Sequence, residues 1–257
     1  MLAWLKAVAP ATLVLIALAG MESVLAQGSD PLDTCNGKNN ASADARIEGC
    51  TAVIKTGKYR ASNAAPLYYN RGNAYREKGD YDGAIADYDQ AIKLNQSYTA
   101  ALNNRGLANA SKGNQAAAIA DFGTAISLEP KNAIRYYNRA GVYVDRAIAS
   151  DHDQALKDYG EAIKDYNQAV ELDPNSASAY NNRGVAYANR GEQGDIDLAI
   201  KDYTDAVRLE PNNATHLYNL GLAKREKGDV AGGNADIDKA KGIQSDIADK
   251  FTRFGMK

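Results

Sequence analysis

The chain is short of the residues that most enzymes use. Two histidines and two cysteines occur in 257 residues, so multi-ligand zinc sites and most imidazole acid–base chemistry lack their parts. It also lacks an excess of either charge: 30 Lys plus Arg stand against 32 Asp plus Glu. Without a concentrated positive field, a nucleic-acid or polybasic membrane-surface role is excluded. Tryptophan occurs once and phenylalanine three times, against 16 tyrosines. Tyrosine offers a large apolar ring whose hydroxyl still needs a partner, which suits half-buried positions. With 45% hydrophobic and 24% charged residues, the composition is that of a folded chain.

The longest apolar run, Ala7 to Ala19, lies in MLAWLKAVAPATLVLIALAGMESVLAQ and follows a short region carrying Lys6. It falls short of the roughly 20 residues a membrane span needs, and Glu22 follows closely. The stretch reads as a signal peptide, residues 1–26, with Val24 and Ala26 at the small-residue positions before cleavage. An uncleaved anchor is the alternative. No cysteine follows the cleavage point directly, so no lipid anchor and no membrane insertion of the mature chain are expected. In an exported protein the two cysteines, Cys35 and Cys50, are expected to pair.

Self-comparison finds YYNRGNAY at 68, LNNRGLAN at 102, YYNRAGVY at 136, YNNRGVAY at 180 and LYNLGLAK at 217. Each is followed by a second run such as AIADYDQAIKL at 84 or AIKDYTDAVRL at 199. Apolar residues recur at three- and four-residue spacing in both halves, so each copy is a helical hairpin. Lys-Gly-Asp or Lys-Gly-Asn separates the halves at 78, 112 and 227. Glycine there ends the first helix, and Asp or Asn is placed to cap the second. Small residues on the first helix (Gly72, Gly106, Ala140, Gly184, Gly221) are expected to face small residues on the second (Ala84, Ala118, Ala155 or Ala162, Ala199, Gly233).

These motifs resemble the tetratricopeptide repeat family, whose 34-residue unit has this pattern of aromatic, small and proline positions. Tyr68, Gly72, Tyr75, Ala84, Tyr88 and Ala91 match in the first copy; Tyr180, Gly184, Tyr187, Ala199, Tyr203, Ala206 and Pro211 match in the fourth. The resemblance implies an all-α, right-handed solenoid of five repeats at 65–98, 99–132, 133–176, 177–213 and 214–246. An N-terminal arm and capping helix with a disulfide are expected at 27–64, the arm itself extended over 27–40, and a C-terminal capping helix at 247–257.

It also implies a binding scaffold rather than a catalyst, with no cofactor, metal or catalytic residue. First helices of the family line a concave groove. By position the groove includes Tyr69, Asn73, Arg76, Asn103, Tyr137, Asn181, Tyr218 and Arg225. Some members clamp a terminal carboxylate with basic residues and asparagines; Asn73, Asn104 and Asn138 match the latter, but Tyr69 and Ile134 occupy the basic positions, which argues against that ligand. The expected partner is an uncharged peptide, or a protein or peptide segment with polar, aromatic anchors, bound in the periplasm; the alternative is a structural subunit of a homo-oligomer or permanent envelope assembly.

Three local features remain. Arg71, Arg105, Arg139 and Arg183 precede the small residue, and Asp87, Asp121, Asp158 or Asp165, and Asp202 precede the second-helix aromatic. Structural Arg–Asp pairing is favoured over a row of ligand-facing arginines. The third copy repeats ALKDYGE as AIKDYNQ, adding seven residues without turning the apolar stripe out of phase. Either the lengthened stripe is exposed and Tyr159 and Tyr166 dock a partner, or Ala147, Ile148 and Ala149 extend the first helix over it. Asp151-His152-Asp153 reads as a solvated turn, not a metal cluster, because neighbours in a loop cannot all converge on one ion.

Overall fold

A computed structural model describes residues 30–253, so the signal-peptide reading of 1–26 lies outside the described residues. Thirteen α-helices account for the described part: α1 (Pro31–Cys35), α2 (Ala43–Lys55), α3 (Ala65–Glu77), α4 (Tyr81–Leu94), α5 (Thr99–Ser111), α6 (Gln115–Leu128), α7 (Ala133–Ala149), α8 (His152–Leu172), α9 (Ala177–Arg190), α10 (Asp195–Leu209), α11 (Ala214–Lys227), α12 (Val230–Ile243) and α13 (Ile247–Arg253). From α3 to α12 they pair as five antiparallel hairpins, and each hairpin packs on the next.

The hairpins start and stop where side chains satisfy the backbone. Asp80, Asp151 and Asp229 each accept the N–H of the residue three further on, and Asn213 caps α11 in the same manner. Asn114 makes no such cap; its amide donates instead to Asn109. Gly79 and Gly113 take positive φ to end α3 and α5. The lysine before each glycine then reaches back one hairpin: Lys78 pairs with Asp44 and Lys112 with Asp82, and Lys227 likewise meets Asp197.

In the first, second and fourth hairpins the nearest neighbour of the small first-helix residue is an aromatic ring rather than another small residue, which corrects the expected pairing there. A Cβ on Gly106 would lie 2.9 Å from the Phe122 ring. The ring fills the gap because the alanines beside it, Ala118 and Ala125, are already fully buried. In the last hairpin small residues meet directly, as expected: a Cβ on Gly221 would lie 2.6 Å from the Gly233 carbonyl oxygen.

Four arginines tie the hairpins internally. Arg71 grips Asp87, Arg105 grips Asp121, Arg139 grips Asp165 and Arg183 grips Asp202, each through Nε and Nη2 at 2.5–3.0 Å. Burial pushes the Asp165 and Asp202 carboxyls up and the arginine hydrogen bonds oppose it. Two hydrogen bonds in parallel join each pair, the bidentate geometry that suits guanidinium and carboxylate. The remaining nitrogen, Nη1, reaches the preceding hairpin: Thr51 Oγ1 at 2.9 Å, Asp89 Oδ1 at 2.5 Å and Asn167 Oδ1 at 2.8 Å for Arg71, Arg105 and Arg183. Arg139 breaks the series, because its Nη1 faces Gly123 and a Cβ there would sit 3.5 Å from it. Gly123→Asp is therefore expected to restore the missing bridge and to replace a helix-interior glycine, raising stability by about 1 kcal/mol. A melting temperature no higher than that of the parent would show that the gap carries no deficit. In the fifth hairpin Lys224 takes the arginine's place against Asp236 at 2.6 Å.

The third hairpin resolves the question left by its added heptad. α7 runs for 17 residues against 13 in α5, and α8 for 21 against 14 in α6. The longer first helix covers the longer second one: Ala147 is buried, and Tyr159 and Tyr166 are 7% and 1% exposed. Tyr159 and Tyr166 are thus core residues, and the docking role expected of them is withdrawn. The duplicated aspartates divide their duties, Asp165 pairing with Arg139 and Asp158 with Arg146 at 2.5 and 2.8 Å. A similar clasp closes the fourth hairpin, where Arg190 grips Asp195.

The N-terminal segment is helical where an extended arm was expected. Asp30 accepts the Leu32 N–H and Pro31 opens α1, a start signal that the Gly- and Asn-rich surroundings obscure. α1 lies on α2 at Gly49, where a Cβ would come within 2.8 Å of the Pro31 carbonyl oxygen. A Cys35–Cys50 disulfide, S–S 2.06 Å, joins the two, buried with Val53 and Leu67.

Candidate functional site

Consecutive first helices touch one another, α3 on α5, α5 on α7, α7 on α9 and α9 on α11, whereas consecutive second helices make no comparable contact. The first-helix side is therefore the compressed, concave side of the stack. Every groove residue expected from the sequence lies on these helices.

A belt of amides and phenols crosses that side. The Tyr88 hydroxyl donates to Asn73 Oδ1 at 2.7 Å, and Asn104 Nδ2 donates to Asn73 Oδ1 at 2.8 Å and to Tyr69 Oη at 3.2 Å. Asn103 Nδ2 donates to Asn104, and Asn138 Nδ2 to Asn103, both at 3.1 Å. Beyond α7 the chain of bonds resumes: Asn182 Nδ2 donates to Tyr137 Oη at 3.0 Å, Asn181 to Asn182 at 3.1 Å, and Asn219 to Asn181 at 2.9 Å. The belt thus crosses every junction between first helices from α3 to α11. Burial lifts the Tyr88 hydroxyl to about 12 and raises that of Tyr137, so both stay protonated as hydrogen-bonding phenols.

Tyr69, Asn73 and Asn103 accordingly come together at α3 and α5, with the Tyr69 ring packed 5.0 Å from that of Tyr98. Tyr137 and Asn181 meet through Asn182 between α7 and α9, but Asn181 is only 5% exposed and both its amide atoms serve the belt. Tyr137 stays partly exposed, whereas Asn181 is buried. Arg76 stands exposed at the end of α3. Tyr218 packs against the cluster of Ala214, Leu217 and Ile247, and the Arg225 stem lies against Gly233 of α12. The belt leaves some capacity unused: Asn73 Nδ2 and Asn138 Oδ1 have no partner among the described residues, and the Tyr69 and Tyr137 hydroxyls accept a bond while keeping a proton to donate.

A cleft of about 300 Å³ opens between α7 and α9, floored by Ala133, Ala169 and Ala179 and flanked by Ile134, Tyr137, Asn138, Asp173 and Ser178. Its walls mix aliphatic, phenolic and amide groups with one carboxylate. The sequence indicates Ile134, Tyr137 and Ser178 by position, but Asp173 enters from the end of α8, which only the packing shows.

The two histidines stand apart from this face. Asp151 caps α8 beside the exposed His152. His216 is buried, its Nε2 3.1 Å from Glu210 Oε2 and its Nδ1 without a partner, and burial lowers its pKa. No group of three or more His, Cys, Asp or Glu side chains among the described residues converges as a metal site. Nor is any described helix long and apolar enough to cross a membrane.

Stacked helical hairpins whose first helices are joined by a belt of hydrogen bonds define a repeat solenoid of the protein-interaction class. Sequence models of the TPR repeat match residues 72–113, 151–191 and 192–228, and a tetratricopeptide repeat model matches 99–132; together they cover over half of the chain. The chain belongs to the tetratricopeptide repeat family, and its architecture is that family's right-handed solenoid. Among solved structures it is similar to YrrB, described as a TPR protein with an unusual peptide-binding site: 25% identity, TM-score 0.61, over 79% of this chain and 95% of that one. It is similar to MamA at 25% identity and TM-score 0.59, over 69% and 96%. MamA from Desulfovibrio magneticus RS-1 shares the fold at 21% identity and TM-score 0.62, over 71% and 96%. No curated protein sequence matches the chain significantly.

Proposed function

We propose that this protein is a non-catalytic scaffold of the cell envelope that binds a peptide or protein segment on its first-helix face. The observation that carries the reading is the cleft between α7 and α9, an accessible aliphatic and phenolic recess beside belt groups with unused hydrogen-bonding capacity. Likeness to a peptide-binding TPR protein supports it. The Cys35–Cys50 disulfide and the signal-like N-terminus support export, and with it a periplasmic setting.

Selection of binders from a random heptapeptide library, followed by titration, tests the groove. Ile134 is 64% exposed, so Ile134→Asp should leave stability within about 0.5 kcal/mol of the parent while weakening selected peptides about tenfold. Selected peptides that bind Ile134→Asp as tightly as the parent would place the binding surface elsewhere. Light scattering on dilution separates the competing reading: an oligomer that survives dilution, with no peptide binding, would make the chain a structural subunit.

A further inference from the structure

One stripe of α7 is built unlike the rest of the concave side. Ile134, Asn138, Gly141, Asp145 and Ile148 recur at three- and four-residue spacing and so share one face of the helix. Ile148 and Ile134, 70% and 64% exposed, are the two most exposed large apolar side chains among the described residues. Both therefore stand on the same stripe, at its two ends.

Between them sit two residues the fold does not explain. Glycine inside a helix is destabilising relative to alanine, and at Gly72, Gly106, Gly184 and Gly221 a close neighbour accounts for it, a Cβ there lying 2.6–2.9 Å from other atoms. At Gly141 the nearest atom, Tyr166 Oη, would be 4.0 Å away, so the space above it is free. Asp145 is exposed yet hemmed by protein, and desolvation pushes its carboxyl up with no cation to offset it. The buried aspartates Asp87, Asp121, Asp158, Asp165, Asp195 and Asp202 each have an arginine; Asp145 has no hydrogen bond or ion pair among the described residues. A carboxylate held in a concavity without a counter-ion is complementary to a cation brought by a ligand.

The spacing fits an extended chain. Ile134 and Ile148 are about 21 Å apart along the helix axis, and Asp145 lies about 16 Å from Ile134. Six residues of extended peptide span about 20 Å, and side chains two, four and six positions from the first point the same way. Resting on the reading that the first-helix face binds peptide, we infer that α7 seats an extended segment with aliphatic residues at positions 1 and 7 on Ile134 and Ile148. A Lys or Arg at position 5 meets Asp145, the peptide backbone passes over Gly141, and a backbone N–H donates to Asn138 Oδ1.

Fluorescence polarisation with labelled Leu-Ser-Ser-Ser-Arg-Ser-Leu and its reversed sequence tests this, since the chain direction is set by whichever binds. The expected result is binding of one of the two, weakened about tenfold when its arginine becomes glutamate. Asp145→Arg should invert that preference. Gly141→Ala should raise the melting temperature and still weaken the peptide, a combination that loss of folding cannot produce. Equal affinity for the arginine and glutamate peptides, or a preference unchanged in Asp145→Arg, overturns the inference. If neither peptide binds, or if library-selected peptides are sensitive to Ile134→Asp but indifferent to Asp145→Arg and Gly141→Ala, this strip is wrong and the groove reading stands. If the library yields no binder either, both fall. A dimer that Asp145→Arg dissociates would replace the peptide by a second copy of the chain and equally overturn it.

Discussion

Arg105→Leu is expected to destabilise the protein by about 3 kcal/mol, the low end of the loss when a buried ion pair is broken by removing one partner. Leucine forms helix as readily as arginine and suits the half-buried site, so the loss comes from what the arginine leaves behind. Asp121 is 6% exposed and receives two contacts from Arg105, at 2.5 and 3.0 Å; without them only Asn109 Nδ2 at 3.3 Å remains. The bridge from Nη1 to Asp89 at 2.5 Å goes as well, though Asp89 is half exposed and water replaces it there at small cost. The sign therefore depends on Asp121. Arg105→Leu combined with Asp121→Leu removes the orphaned charge and is expected to regain most of the stability, because two apolar groups can replace a buried pair nearly neutrally. Urea unfolding of the single and double variants measures both. A single variant with an unchanged midpoint that no longer binds groove-selected peptides would restore the reading of these arginines as a ligand-facing row.

What the sequence displayed and what it concealed divide along the range of the interaction. The five hairpins were legible because helix periodicity and the Asn-Arg-Gly block are local patterns repeated in register. The arginine–aspartate pairs were legible because both members recur in the same two blocks of a hairpin, 16 residues apart for Arg71–Asp87 and Arg105–Asp121 and 19 for Arg183–Asp202. In the third hairpin the duplicated heptad offers two equivalent aspartates, and only the lengthened α7, which carries Arg146 to Asp158, decides between them. The same extension buries Tyr159 and Tyr166; a stripe in phase says which face is apolar and not what covers it. The asparagine belt was the least legible. Its links join residues such as Asn103 and Asn138, or Asn181 and Asn219, 35 and 38 apart, whose offsets change with each insertion. Asn73, Asn103 and Asn181 were found by position, but that the fold itself employs them follows only from the packing. Asp145 gave no signal, since an unpaired carboxylate is recognised by the partners it lacks.

Removing the disulfide with Cys35→Ala and Cys50→Ala is expected to cost about 3 kcal/mol in the chain-entropy model for a loop of this length, and to cost it locally. α1 has five residues, too few to hold a helix unaided. Besides the staple, its seat on Gly49, the packing of Leu32 in the same small cluster and the bond between Asn36 and Asn70 at 3.0 Å attach it. α2 is held independently: Val53 packs with Leu67, Thr51 accepts from Arg71 at 2.9 Å, and Arg46 and Asp44 pair with Glu77 and Lys78. In a stack where each unit touches only its neighbours, loss at one end propagates weakly. Hydrogen exchange should therefore show α1 losing protection first, α2 partly, and α11 to α13 unchanged. Even loss across the whole stack would mean that the solenoid unfolds as one unit and that the staple secures all of it. The parent supplies the other half of the test: unreduced protein should expose no alkylatable thiol, and two in freshly isolated material would remove both the disulfide and its support for export.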